Sequence, residues 1–285
     1  MKELSEIRVD IDSIDRQIVD LFEKRMELTT QVAEYKISVG KAVFDKEREL
    51  SKLTAVADLA HSEFNSCGAR ELFEHIMSVS RKRQYQLLAE QGKAVSTGFK
   101  EVKDLNFSRG ASAFTDFPAA HAFLPEGCRL VWCADWRKAC EMLKCGDVNF
   151  AFLPAQDPKS GQVSASYNLL AEYGYYILEE YRVGSKEKDR YLLISKDQVF
   201  LSGADKTSIC FEAPDVCGSL YHLISHLTYN NLNMNRIESI VISETPLNYR
   251  FFIDLSGNLG DSAVRNAILG LSDEAENFRI LGNYR

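Results

Sequence analysis

The chain has 285 residues, 45% of them apolar and 26% charged, with 41 Asp and Glu against 34 Lys and Arg. This composition fits a folded protein of two or three domains and excludes a chain disordered throughout, a collagen or a low-complexity repeat. A net charge of −7 argues against a nucleic-acid or anionic-membrane partner, and no apolar run approaches the roughly 18 residues of a membrane span.

Seven cysteines occur without a CxxC pair, which predicts reduced thiols in a cytoplasmic protein and no structural zinc site. The opening MKELSEIRVDID is charged and does not read as a secretion signal.

In residues 1–40, Leu4, Ile7, Ile11, Ile14, Ile18 and Leu21 step by 3, 4, 3, 4 and 3, and the seam continues through Arg25, Leu28, Val32 and Tyr35. A heptad pattern of this length predicts one helix packed against other helices, ended by Gly40. At 1.5 Å per residue such a helix runs about 54 Å, longer than a 90-residue globule is wide. A second copy of the chain is the simplest partner along that length. Further helices are expected at about Asp45–His61 and Ala69–Gln91, the latter with Phe73, Ile76 and Leu87 on one face.

The polar stretch 92–107 reads as a linker. Beyond it, Arg129–Cys133 and Val148–Leu153 are predicted strands around a helix at Asp135–Lys144, a βαβ-like order, followed by strands at Tyr175–Glu179 and Tyr191–Ser195. From about Lys206 the order is βαββαβ: strands at Thr207–Glu212, Arg236–Ser243, Asn248–Asp254 and Asn277–Gly282, with helices at Gly218–Tyr229 and Asp261–Leu271. This is the ferredoxin-like arrangement. The expected segments are a helical domain at 1–91, the linker at 92–107, an α/β lobe at 108–200 and a ferredoxin-like domain at 201–285.

Several charges interrupt the apolar seams of the first segment. Arg25 sits at a heptad core position, where a charge is costly unless paired or bound to a ligand. Lys36 follows three turns later on the same face. Ser80 and Gln84 fall on the apolar stripe of the third helix, and the second opens with Asp45-Lys46-Glu47-Arg48-Glu49. A register-setting polar seam and a ligand site account for this pattern equally well. Arg8 lies 17 residues before Arg25, about 26 Å along the helix. Both reach one small molecule only if Arg8 comes from an antiparallel partner chain.

On Arg8, Arg25, Lys36, Asp45-x-x-Arg48-Glu49 and Ser80-x-x-x-Gln84, the first 90 residues resemble the all-helical class of chorismate mutase. The resemblance implies a three-helix domain-swapped dimer that takes chorismate and needs no cofactor or metal. It also implies roles: Arg8 of the other chain and Arg25 hold carboxylates, with Ser80 assisting. Lys36 and Gln84 reach the ether oxygen, Glu49 accepts from the ring hydroxyl, and Asp45 and Arg48 complete the pocket.

The stretch VNFAFLPAQDPKSGQV (148–163) resembles part of the prephenate dehydratase portion of bifunctional chorismate mutase/prephenate dehydratases, with Gln156-Asp157 in place of Glu-Asn. Asp189-Arg190-Tyr191 stands where that family has Thr-Arg-Phe. Only seven residues separate Tyr181 from Asp189, where the family inserts a second lobe. The resemblance therefore implies a truncated lobe without dehydratase activity. The last segment resembles an ACT domain at Gly218-Ser219-Leu220 and at Arg236-Ile237-Glu238-Ser239. That implies Gly218, Ser219, Leu220, Glu238 and Ser239 as contacts for phenylalanine or another aromatic amino acid.

The leading expectation is a chorismate mutase, homodimeric or larger, with regulation or assembly through the ACT-like segment. A bifunctional enzyme and a non-catalytic aromatic amino acid sensor are the alternatives. His222 and His226, four apart, read as an ordinary helix face. Trp132, Trp136, Cys133, Cys140 and Cys145 read as core of the middle segment.

Overall fold

A computed structural model describes residues 2–91, 97–105, 111–114, 128–155, 164–182 and 190–285. They form two compact units, divided between Ala94 and Val95.

The first unit is three helices: α1 (Leu4–Val39), α2 (Lys46–Ala57) and α3 (Glu63–Glu90). The heptad of α1 ends as expected at Gly40, whose φ of 69° is the left-handed conformation that glycine adopts without a Cβ penalty. Asp45 caps α2 by accepting from the Arg48 amide at 3.0 Å. α3 begins six residues earlier than the apolar stripe predicts, because Ser62 caps it through the Asn65 amide. Leu53, Val56, Met77 and Tyr85 bury the contact between α2, α3 and the C-terminal half of α1, which contributes Ala33 and Ile37. The N-terminal half of α1 buries nothing within the chain: Leu4 is 62%, Val9 66% and Leu21 65% exposed.

The second unit is built on a nine-stranded sheet. Its strands are β2 (Ala111–Phe114), β3 (Arg129–Trp132), β4 (Phe150–Pro154), β5 (Tyr176–Arg182), β6 (Arg190–Ser195), β8 (Lys206–Pro214), β9 (Met234–Glu244), β10 (Leu247–Ser256) and β11 (Glu276–Tyr284), in the order β3-β2-β4-β6-β5-β11-β8-β10-β9. Helices α4 (Trp136–Cys145) and α5 (Ser164–Tyr173) precede β4 and β5, while α6 (Ser219–Tyr229) and α7 (Ser262–Glu274) precede β9 and β11. The predicted β3-α4-β4 crossover is present, with β2 between its parallel strands. The stretch β8-α6-β9-β10-α7-β11 has the predicted ferredoxin-like order, its four strands antiparallel as β11-β8-β10-β9.

The lobe at 108–200 and the segment at 201–285 share this one sheet. They join where β11 runs parallel to β5, with Gly282 opposite Ile177. One core cluster crosses the junction, packing Ala139, Leu143, Leu153 and Tyr167 with Phe252, Leu281 and Tyr284. A second fills the other face of the ferredoxin-like strands, under α6 and α7.

Some expectations need correction. Lys100–Val102 (β1), inside the expected linker, pairs in parallel with Val199–Leu201 (β7), because its backbone finds a partner despite polar side chains. The short strand β2 and helix α5 carried too few periodic residues to be predicted. Trp132 is 65% exposed rather than core, since β3 lies at the sheet edge, and Cys145 is exposed at the end of α4. Cys133 and Cys140 are buried as expected, and Trp136 packs against the core. His226 lies buried beside Glu274 at 3.0 Å. The positions Gln156-Asp157 and Asp189 lie outside the described residues.

Candidate functional site

In the first unit, the C-terminal half of α1, the start of α2 and the middle of α3 enclose a pocket of about 290 Å³. Seven of the eight positions singled out in the sequence line it: Arg25, Lys36, Asp45, Arg48, Glu49, Ser80 and Gln84. The spacing explains the gathering. Arg25 and Lys36 are three turns apart on α1, and Ser80 and Gln84 are one turn apart on α3, so each pair shares a face. Arg8 is exposed and lies outside the pocket, on the same α1 as Arg25.

Hydrogen bonds hold these side chains in place. Ser80 Oγ accepts from Arg25 Nη1 and donates to the Ile76 carbonyl at 2.8 Å. Lys36 Nζ donates to the Val43 carbonyl at 2.6 Å. Gln84 is buried and donates through Nε2 to the Ser80 carbonyl at 3.2 Å, while its Oε1 is enclosed without a partner. Burial pulls the Arg25 guanidinium below its ordinary value, against the raising influence of Glu49. It remains a cation, since arginine does not deprotonate in proteins.

Sequence reasoning missed Arg81. It is 8% exposed, forms an ion pair with Glu49 through Nη1, and lies over the Phe44 ring at 5.1 Å. Its signal was available, because Met77, Arg81 and Gln84 follow the i, i+4, i+7 spacing of one helix face. Lys52 is the other unforeseen lining cation. With them the pocket carries five cations (Arg25, Lys36, Arg48, Lys52, Arg81) against two carboxylates (Asp45, Glu49), in a chain of net charge −7. Such a cavity favours a small ligand with more than one negative charge.

Between α1 and α3 a second concavity, of about 490 Å³, is lined by Ile18, Leu21, Phe22, Phe73, Ile76 and Val79 among others. It is almost wholly apolar and adjoins the exposed half of α1.

Sequence comparison finds a similarity in the helical unit. Residues 7–85 match the family of chorismate mutase type II. The chain is also similar to the bifunctional chorismate mutase/prephenate dehydratase of Aquifex aeolicus, 28% identical over 132 residues, which are 45% of this chain and 36% of that protein. The enzyme of the same description from Neisseria gonorrhoeae is 30% identical over 95 residues, 33% of this chain and 26% of that one. The chain thus spans about a third or less of the length of these curated relatives.

Among solved structures, the prephenate dehydratase of Arthrobacter aurescens in complex with L-Phe superposes with a TM-score of 0.53 at 19% identity, over 61% of this chain and 89% of that one. A structure described as GqqA, a novel type of quorum quenching acylase, gives 0.52 at 23%, over 61% and 94%. At these identities the likeness is one of fold.

Of the expected effector residues, Gly218 caps α6 at its N-terminus, and Ser219 and Leu220 open that helix. Ser219 Oγ donates to the Pro214 carbonyl at 2.8 Å. Glu238 and Ser239 are consecutive on β9 and so face opposite sides of the sheet. Ser239 opposes Phe251, on the side covered by the helices, while Glu238 opposes Phe252, on the side of the lobe core. The structure therefore places Gly218, Ser219, Leu220 and Ser239 toward one side and Glu238 toward the other.

Proposed function

We propose that the protein is a chorismate mutase, acting as a homodimer whose two α1 helices are exchanged. The observation that carries this reading is the five-cation pocket on α1, α2 and α3. Chorismate is a dicarboxylate, and its rearrangement to prephenate is intramolecular. It needs no nucleophile, proton relay or cofactor, only a held chair-like conformer and stabilisation of charge on the breaking ether oxygen. Arg25, oriented by Ser80, presents a planar fork to one carboxylate. Lys36 and Gln84 donate to the ether oxygen as negative charge develops there. Glu49, fixed by Arg81, accepts from the ring hydroxyl, while Asp45 and Arg48 close the rim.

The second carboxylate is met by Arg8 of the other chain. The exposed apolar half of α1 and the concavity along α1 and α3 supply the surfaces that such an exchange would cover.

The lobe at 108–200 is read as dehydratase-derived but without dehydratase activity. The register of β5 and β6 runs on to Arg182 opposite Arg190, at the position where the related enzymes insert a second lobe. The ferredoxin-like strands are read as an ACT-type module that takes an aromatic amino acid or serves in assembly, through the loop at 218–220 and strand β9.

The deciding experiment incubates the purified protein with chorismate near neutral pH and follows chorismate loss and phenylpyruvate formation separately. Prephenate accumulates at an enzymatic rate that a chelator leaves unchanged, and phenylpyruvate stays at the no-enzyme level. Arg25→Ala or Lys36→Ala costs about 3–4 kcal/mol of transition-state stabilisation. An inert protein refutes the mutase reading, and saturable phenylpyruvate formation refutes the loss of dehydratase activity.

A further inference from the structure

In the second unit, α7, β11 and the start of β5 border a cleft of about 250 Å³. None of its lining residues belongs to the mutase pocket or to the expected effector positions. Three aromatic rings, Phe99, Tyr176 and Phe278, share it with two guanidinium groups, Arg265 and Arg279. Phe99 meets Tyr176 edge-on with centroids 5.1 Å apart, and Gln198 Nε2 donates to the Tyr176 hydroxyl at 2.5 Å, so the ring is held. Arg279 lies over the Tyr176 ring at 5.0 Å. Its Nε and Nη2 are enclosed with no acceptor. Among the described residues, neither Arg265 nor Arg279 forms an ion pair with a carboxylate.

In a chain with 41 acidic residues to 34 basic ones, two arginines in one cleft with no acidic partner run against the composition. Arg265 is exposed and neither guanidinium is neutralised by a carboxylate among the described residues, so an anion entering the cleft meets two uncompensated cations. The guanidinium fork matches a carboxylate, and the rings offer flat apolar walls. Sites for drug-sized molecules measure roughly 300–1,000 Å³. This cleft is smaller and suits one ring with one short arm.

We propose that the cleft binds a small aromatic carboxylate, its carboxylate between Arg265 and Arg279 and its ring among Phe99, Tyr176 and Phe278. An inorganic anion would use the arginines and leave the aromatic walls idle. A neutral aromatic would leave the arginines unmet.

Calorimetric titration of the full-length protein tests this with phenylacetate as the probe, and with acetate, inorganic phosphate and benzyl alcohol as partial mimics. Phenylacetate binds saturably at one site per chain, and each mimic binds at least tenfold more weakly. Arg265→Gln, on an exposed position of α7, and Arg279→Gln each weaken phenylacetate at least tenfold. Arg279→Lys, which keeps the charge but not the fork, falls between. Arg25→Ala, in the other unit, leaves phenylacetate affinity as it was, so the result is independent of the mutase reading. If Arg279→Gln unfolds in a thermal scan, Arg265→Gln decides alone. The proposal is overturned if phenylacetate does not saturate, if any of the three mimics binds as tightly, if affinity survives Arg265→Gln, or if it is lost in Arg25→Ala.

Discussion

At the scale of single residues, Arg81 is the instructive case. Its guanidinium pairs with Glu49, whose charge also acts on Arg25, while Arg25 itself is hydrogen-bonded to Ser80. On the proposed mutase reading, Arg81 fixes the Glu49 carboxylate in place. Arg81→Ala is expected to lower kcat about 10- to 100-fold, the scale of a misplaced catalytic group. Arg81→Lys should recover part of the loss, because the charge remains and the fork does not. Steady-state kinetics on folded variants checks this, and a kcat unchanged in Arg81→Ala would assign the ion pair to structure alone. The second unit makes a different prediction. Burial pushes the thiols of Cys140 and Cys210 up to about 12, and burial with the nearby Asp254 charge pushes the Tyr167 phenol up to about 12. The fold thus holds these groups protonated, whereas in the unfolded chain they ionise from about pH 8.5 to 10. Stability is intact below that range and falls as pH rises from about 9 toward 12. Both tryptophans, Trp132 and Trp136, lie in this unit and report on it. The urea midpoint by tryptophan fluorescence should be lower at pH 10.5 than at pH 7, and equal midpoints would contradict the assignment.

At the scale of elements, α1 was the most legible part of the sequence. Its heptad, its end at Gly40 and the misfit charge at Arg25 were all readable, because a 3.5-residue repeat over so many turns has few other meanings. Lys36, Ser80 and Gln84 were readable as polar groups on apolar stripes. What the pattern left open was whether they bind a ligand or set helix register, a question that only the convergence of three helices on one pocket addresses. Short elements were the least legible: β2 has four residues, and α5 follows a stretch without periodicity. The exposed half of α1 carries its own prediction. An Arg8→Ala chain retains Arg25, and an Arg25→Ala chain retains Arg8. If the proposed exchanged dimer forms, mixing them and allowing exchange gives one complete site per heterodimer. Half the dimers with one site of two gives about a quarter of wild-type activity if exchange is random. Activity no higher than that of either variant alone, with exchange demonstrated by differential labelling, would refute the exchanged arrangement.

At the scale of the whole molecule, the expected division at about residue 200 meets a continuous sheet. Composition shifts mark where a chain changes character. They do not report whether two segments will share strands, since that depends on backbone edges and a few close contacts. Here the contact is Gly282, where an added Cβ would stand 2.4 Å from the Ile177 carbonyl oxygen and 3.0 Å from the Ile177 nitrogen. Only glycine lets β11 lie this close to β5. Around it, Tyr284 and Tyr167 share a hydrogen bond of 3.1 Å, Ser208 joins Tyr284 at 2.7 Å, and Arg236 pairs with Asp254 at 2.6 Å. A buried network of this kind favours one docking geometry when it is satisfied. Gly282→Ala pushes the strands apart against a filled core and is expected to cost about 1–3 kcal/mol, the scale of overpacking. The loss should appear in the tryptophan-monitored unfolding of the second unit. On the proposed mutase reading, chorismate turnover in the helical unit should stay at wild-type level, because its pocket is lined only by residues before 95. For the same reason, a fragment of residues 95–200 should fail to fold, deprived of Phe252, Leu281 and Tyr284 from its core, while residues 1–94 remain helical by circular dichroism. A cooperative unfolding transition in the 95–200 fragment, or a Gly282→Ala protein as stable as wild type, would show that the lobe stands without the ferredoxin-like strands.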